Sequence, residues 1–363
     1  MKRFIFTLIL LLIPQMIYGA RAKVRAIAQD PYASAVVVDA ESGKTLVNNN
    51  GDALVYPASV LKLMDLLVIL EKIEQGRLQL DEMVQVTKEA AQMGGSQVYL
   101  DPKEQFSVED LLYALMVQSA NDAAVALATH VAGSKSAFIA IMNKRAQELG
   151  MKNTRFHSVH GLPPSKGQEV DVTTANDLAI LARELAKKPE TFKYTSIRVR
   201  DFRGGEFIMR THNHLLKNVY GCDGFKTGFF SAAGFSIVAT AERNGVRIIS
   251  IVLGSQNRKV RDAKATELLE KGFAMIPPKS TKNVGKKEAI SPQTSTTTDV
   301  KTGDTSPQLE TVQSSVEKLA VAVPSGVSWK TYFLGIITGI ILYGAISFLI
   351  SRKKRKRYTR YSR

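Results

Sequence analysis

The chain has 363 residues, 45% of them hydrophobic, a formal net charge of +16 and a single cysteine. That length allows one large domain plus attachments, and the lone Cys222 excludes an internal disulfide, so the fold must stand on its hydrophobic core. The charge is localised: three of the 49 basic residues lie in residues 1–22, one is Lys330 and eight follow residue 350, leaving 37 against 33 acids, so nucleic-acid binding is not expected.

Residues 1–22 read as a secretory signal, with Lys2 and Arg3, the apolar "FIFTLILLLIP" and an exit at Ala20-Arg21-Ala22. The stretch "SAVVVDAESGKTLVNNN" predicts a hairpin turning at Ser42-Gly43. Next, "YPASVLKLMDLLVIL" predicts a buried helix whose only charges from Val60 to Leu70 are Lys62 and Asp65. "SVEDLLYALMVQSANDAAVALATHVA" is helical with a polar interruption from Gln118 to Asp122. "KSAFIAIMNKRAQELG" and "TTANDLAILARELAKK" predict amphipathic helices. "AGFSIVATAERNGVRIISIVLGS" predicts two strands around Asn244-Gly245. A helix from about Lys259 to Met275 stops at Pro277-Pro278.

Residues 277–328 are rich in Ser, Thr, Pro and Lys and read as a disordered stalk. Residues 329–350, "WKTYFLGIITGIILYGAISFLI", hold no acid and make a helix about 33 Å long, which spans a hydrocarbon core. Residues 351–363 form a basic tail, which the positive-inside rule puts in the cytoplasm, with the rest outside, periplasmic or extracellular. Lipid contact through the span follows, and Gly335-x-x-x-Gly339 offers a homodimer face there. Residues 23–276 have globular composition. Strands at both ends with helices between give an α/β chain of the α+β kind. One antiparallel sheet is flanked by helices, with a helical subdomain inserted and a C-terminal transmembrane helix.

Lys62 poses the sharpest question, because a lysine in an apolar helix is rarely buried without a use. Ser59 as an N-cap and a Lys62–Asp65 pair at i,i+3 explain the stretch blandly. A serine nucleophile with its base one turn along explains it chemically. Three triplets bear on this: Ser59-x-x-Lys62, Ser119-Ala120-Asn121 and Lys226-Thr227-Gly228. Each is weak alone. Ser315-x-x-Lys318, Ser351-x-x-Lys354, Ser255-x-Asn257 and Lys301-Thr302-Gly303 repeat the patterns. The first set differs by setting: a helix start, a break between helices, and a lead into a strand.

With these residues the chain resembles the serine penicillin-binding proteins and serine β-lactamases, and within them the low-molecular-mass D-alanyl-D-alanine carboxypeptidases. "PASVLKLM", "LMVQSANDAAVALA", "NTRFHSVHGL", "TTANDLA" and "DGFKTGFFSAAGFSIVATA" carry the likeness over about residues 30–275. It implies a β-lactamase/DD-peptidase-like fold and makes Ser59 the acyl-enzyme nucleophile. Lys62 is then its base, which needs a pKa roughly 3 units below the usual value of about 10.4. Burial and an approaching Lys226 would supply that shift, and Asp65 is expected to point away. Ser119 would relay a proton to the leaving amine, and Asn121 would hold Lys62 and the substrate amide. Lys226 and Thr227 would bind the substrate's terminal carboxylate, with Gly228 letting the peptide lie along the strand. The backbone N–H groups of Ser59 and Phe229 would form the oxyanion hole, and Arg247 is a candidate second carboxylate contact.

No cofactor is implied. His212-x-His214 lacks a third ligand for zinc, and His160 is expected to shape the site. Cys222 is expected to be a strand-side residue that a thiol reagent could reach. Relatives often carry a β-rich second domain, and often a His where this chain has Phe229; here a stalk and span follow instead. Glu169 does not sit in the deacylating motif of class A β-lactamases. The resemblance therefore implies a serine D-Ala-D-Ala carboxypeptidase acting on peptidoglycan stem peptides and trapped by β-lactam antibiotics. The alternatives are a DD-endopeptidase, a β-lactamase and a non-enzymatic penicillin-binding sensor.

Overall fold

In a computed structural model of the chain, residues 24–277 are described. The expected signal 1–22, the stalk past residue 277, the transmembrane helix 329–350 and the tail 351–363 lie outside the described residues. So do the repeats of the first and third triplets at Ser315, Ser351 and Lys301.

The sheet is assembled from both ends of the described segment. The strands β1 (Ser34–Asp39) and β2 (Thr45–Asn49) come early, and β7 (Cys222–Phe230), β8 (Gly234–Arg243) and β9 (Val246–Ser255) come late. They pair antiparallel in the order β2-β1-β9-β8-β7. Asn244 (φ +49) and Gly245 (φ +73) turn β8 into β9 with both residues left-handed, the conformation a two-residue hairpin needs. Both sheet faces are covered, which explains the unbroken apolar runs of β1 and β9. Val36, Val38, Ile249 and Ile251 face the main helical core. Their alternates Val37, Ile248 and Val252 face α9 (Arg258–Met275), together with Leu268 and Leu269.

On the opposite face α1 (Lys62–Glu74), α6 (Ala175–Ala186) and α7 (Pro189–Thr195) pack against the sheet, and α3 (Val108–Tyr113), α4 (Asn121–Ala132) and α5 (Lys135–Leu149) join them from beyond. Three of these helices start on a side-chain cap. Ser107 accepts from Asp110 N–H, Ser134 from Ala137 N–H and Thr174 from Asp177 N–H, each satisfying an otherwise orphaned donor. Short helices α2 (Lys88–Ala91) and α8 (Leu215–Asn218) complete the order. Two small antiparallel pairs were not foreseen: β3 (Met83–Gln85) with β4 (Gln105–Ser107), and β5 (Val199–Phe202) with β6 (Phe207–Arg210). They are too short and too exposed to show an alternating pattern.

Candidate active site

Ser59 lies in a single 3₁₀ turn, Ala58–Leu61, that feeds α1. The capping reading fails here, because Pro57 and Leu61 occupy the two cap positions and no side chain caps either. Ala58 is held at φ +47, a conformation that opposes any residue with a Cβ. Such strain persists only where the surroundings enforce it.

Lys62 is fully buried. Its Nζ donates to Ser59 Oγ at 3.2 Å, Asn121 Oδ1 at 2.8 Å and the His160 carbonyl at 2.8 Å. An ammonium has three protons to donate, so none is left for Asp65. Burial draws the Lys62 pKa down to about 8, against the opposing pull of Asp65, Asp171 and Asp122. The base is therefore closer to neutral pH than a free lysine, though less so than the expected shift. Asp65 makes no bond to Lys62, as expected, yet it does not face solvent. It is buried in the helix with neither oxygen hydrogen-bonded.

Ser119 ends one turn of π-helix, Ala114–Gln118, and sits at φ +61. The break predicted over Gln118–Asp122 thus narrows to Ser119-Ala120, and α4 begins at Asn121. Asn121 uses Oδ1 for Lys62 and one amide proton for the Gly94 carbonyl at 2.7 Å, leaving one donor for a ligand. Next to it, Asp122 accepts the N–H groups of Val98 and Leu100, which fixes the 94–100 loop over the helix start.

The edge strand β7 supplies the facing wall. Gly228 lies so close to the 3₁₀ turn that an added Cβ would stand 2.7 Å from the Pro57 carbonyl and 3.0 Å from the nitrogens of Ser59 and Val60. Only glycine tolerates that approach. It brings together the two segments that own the expected oxyanion donors, Ser59 N–H and Phe229 N–H. Phe229 stands half-exposed and stacks on Phe235 at 4.1 Å between centroids. Lys226 takes the same face of β7 as Gly228 and is buried, with Nζ on the Thr227 carbonyl at 3.2 Å. Burial pushes its pKa well below the usual lysine range, and the charges of Lys62 and Arg261 push it further.

Ser59, Ser119, Asn121, Thr227, Gly228 and Phe229 line one crevice of about 310 Å³, joined by Gly161, His212, Arg258 and Arg261. Arg247 is not among them, and its expected role is corrected. Its guanidinium is taken by Asp223, with two bonds of 2.8 Å, and by Thr240, and it stacks on Phe192. Lys226 pairs with Val238 and Val238 with Ile251, so Arg247 sits four residues down β9 from the site's level, roughly 13 Å away. Two arginines of α9 reach the crevice instead, the exposed Arg258 and Arg261, which is buried and braced by the Ser236 carbonyl and Asp262. Sequence reading searched the strands and missed both. The one signal for Arg261 was a lone arginine among the buried positions of an otherwise exposed helix.

His160 contributes its backbone: the carbonyl holds Lys62, while Nδ1 accepts from Leu162 N–H. Burial, with Lys62 adding to it, pushes the ring pKa down to about 3, so the ring is neutral. Asn213, buried between two exposed histidines, bonds the Gly224 carbonyl and steadies β7. No group of three His, Cys, Asp or Glu side chains among the described residues is placed to hold a metal ion. Glu169 lies apart from the crevice, exposed and paired with His157.

Cys222 is half-buried, its Sγ 3.5 Å from the Gly224 carbonyl, and burial raises its pKa to about 11. The thiolate is the reactive form. Alkylation by iodoacetamide, followed by intact mass, is therefore expected to be slow at pH 7 and to quicken about tenfold per pH unit towards pH 10. Rapid labelling at neutral pH would show a thiolate that the fold does not provide for.

Comparison with known proteins agrees with this constellation. The sequence pattern of the family described as D-alanyl-D-alanine carboxypeptidase matches residues 22–257. The D-alanyl-D-alanine carboxypeptidase DacF of Bacillus subtilis is 36% identical over 244 residues, 66% of this chain and 62% of that one. DacC of Escherichia coli is 37% identical over 246 residues, 66% of this chain and 60% of that one. The chain thus spans less than two thirds of the length of these curated relatives. Penicillin-binding protein D2 of Listeria monocytogenes, in its ampicillin-bound form, superposes with a TM-score of 0.61 at 32% identity, covering 70% of this chain and 100% of that one. The antiparallel sheet and its helices are those of this DD-peptidase fold.

Proposed function

The chain belongs to the D-alanyl-D-alanine carboxypeptidase family, and from that premise we propose that it removes the terminal D-alanine from peptidoglycan stem peptides through an ester on Ser59. The observation that carries this reading is the buried Lys62 amine, 3.2 Å from Ser59 Oγ and fixed by Asn121 and His160. In its neutral form the amine takes the Ser59 proton as Oγ attacks the penultimate D-alanine carbonyl. The oxygen charge that develops falls to the N–H groups of Ser59 and Phe229. Ser119 passes a proton to the departing amine, and water then cleaves the ester. The substrate's terminal carboxylate is read by Thr227 and Arg261, with Lys226 adding charge from its buried place on β7. A carboxylate there also eases the crowding of Lys226, Lys62 and Arg261, which favours a substrate with a free C-terminus.

Penicillin would acylate the same hydroxyl, as the ampicillin-bound relative suggests. We further propose that residues 329–350 anchor the chain in the cytoplasmic membrane, with the catalytic part outside and the basic tail inside. The apolar run and the eight basic residues beyond it support this placement.

The test uses membranes carrying the full chain. D-alanine release from a D-Ala-D-Ala peptide, and a penicillin adduct located by mass spectrometry, should both vanish in Ser59→Ala. An adduct without release would favour an endopeptidase or a sensor. Rapid penicillin turnover without a lasting adduct would make the chain a β-lactamase.

A further inference from the structure

Asp65 is a buried carboxyl group that the acylation chemistry leaves without a task. It follows Lys62 on α1 at i,i+3, the spacing that sets two side chains next to each other. It is 2% exposed, and neither carboxylate oxygen has a hydrogen-bond partner. Buried carboxylates are ordinarily supplied with donors, and the two others near Lys62 are. Asp122 accepts the N–H groups of Val98, Leu100 and Ala123. Asp171 accepts those of His157 and Ser158 and the Ser158 hydroxyl. Lys62 acts on Asp65 through charge alone, since no hydrogen bond reaches either carboxylate oxygen.

We propose that Asp65 is a positioning residue that acts through charge, delaying the loss of the Lys62 proton as pH rises and so setting the pH at which the enzyme switches on. The inference rests on the acyl-enzyme reading above.

The groups that face this pair are few. From α4 comes Asp122, from the segment before α6 come Asp171 and the neutral His160, and from β7 comes Lys226. Ser59 is the polar group of the 3₁₀ turn. Arg145 of α5 is engaged by Glu71 and lies near Glu184 of α6. Asp177 of α6 is bonded by Asn153 N–H and the Thr154 hydroxyl, and Tyr194 of α7 packs against Tyr113. Burial raises the Asp65 pKa well above the usual carboxylate range, while Lys62 opposes the rise and Asp171 adds to it. As pH climbs, Asp65 gives up its proton next to the ammonium, and the resulting carboxylate then resists deprotonation of Lys62. With a neutral side chain at this position that resistance is gone, and the free amine forms at lower pH.

The experiment follows penicillin acylation of Ser59 by mass spectrometry, using the full chain in membranes between about pH 4 and pH 10. Wild type is compared with Asp65→Asn, which keeps the shape, and Asp65→Thr, which is smaller. Both variants should move the acid limb of the rate profile down by about one pH unit or more. The plateau at high pH should stay within a few-fold, and thermal stability should rise because an unpartnered buried carboxylate has been removed. An acid limb that stays put or moves up in a variant that still acylates overturns the inference. So does a plateau lost at every pH, or the failure of both variants to fold, since either outcome would make the carboxylate structural. A wild type that forms no adduct at any pH sinks the acyl-enzyme reading itself, and this inference with it.

Discussion

Replacing Lys62 with Met is expected to slow both penicillin acylation and D-alanine release by about a thousandfold or more, while the thermal midpoint barely moves. The loss follows from geometry, because Lys62 Nζ is the group bonded to Ser59 Oγ and an unassisted hydroxyl is a poor nucleophile. The small change in stability follows from two opposed effects. Burial takes the Lys62 pKa from 10.5 to about 8, so holding the amine protonated at pH 7 costs about 3 kcal/mol. The folded state binds fewer protons than the unfolded one between those two values. Stability therefore rises with pH across that window, and the cost is fully present below about pH 8. Methionine removes it. Against this, Asn121 Oδ1 and the His160 carbonyl lose their donor, at about 1–3 kcal/mol each, while Asp65 loses the opposing charge of Lys62 and keeps its proton. Single-turnover mass spectrometry and thermal melts at pH 7 check both halves. Activity that survives would transfer the base role to Lys226, whose amine burial also pushes well below the usual lysine range.

The sheet was legible because burial on both faces leaves a crude signal. Runs such as "SAVVVD" and "RIISIVLGS" have no other use in a chain with one cysteine, and the Asn244-Gly245 pair fixes the connection between the last two strands. Nothing in composition gave the strand order: β1 pairs with β9 across more than two hundred residues, which only assembly of the whole core decides. The β5–β6 pair escaped notice because its strands are four residues long and mostly exposed, so no alternation develops.

The site divides in the same way. Ser59, Lys62, Ser119, Asn121, Thr227 and Gly228 were readable because they lie in the short motifs that carry the family resemblance; of these, chemistry alone singled out Lys62, a lysine in an apolar helix. The groups that were missed act through long-range packing. The His160 carbonyl is a backbone atom and leaves no mark in side-chain identity. Arg261 reaches the crevice from the last described helix only because α9 lies against β8 and β9. Arg247 was misplaced because a strand position says which face a residue takes, not how far along the strand a ligand reaches. Asp65 was expected to point away from Lys62, but sequence does not say that it stays buried there without a hydrogen-bond partner.

Gly161→Ala should be the most damaging change that touches no catalytic side chain. Gly161 sits at φ +72, and a Cβ there would lie 2.1 Å from the Ala58 carbonyl oxygen and 2.3 Å from its carbon. Those atoms cannot retreat. Ala58 is itself held at φ +47, and on its far side Gly228 already packs against Pro57, Ser59 and Val60. Gly161 is also pinned by its own N–H on Ser158 Oγ at 2.9 Å, and the preceding carbonyl holds Lys62. An alanine must therefore displace the turn that carries Ser59, or draw the His160 carbonyl off the base. Left-handed alanine costs about 1–2 kcal/mol and overpacking about 1–3 kcal/mol, so stability should fall by roughly 2–5 kcal/mol. A displacement near 1 Å at the nucleophile should slow acylation by about a hundredfold. Gly167→Ala separates the two causes, since Gly167 has φ +83 but open space where its Cβ would stand. That variant should lose only about 1–2 kcal/mol of conformational energy and acylate at the wild-type rate. Melting curves and adduct kinetics on the pair decide the matter: equal behaviour of the two alanines would mean that the contact with Ala58 does not hold Ser59 in place.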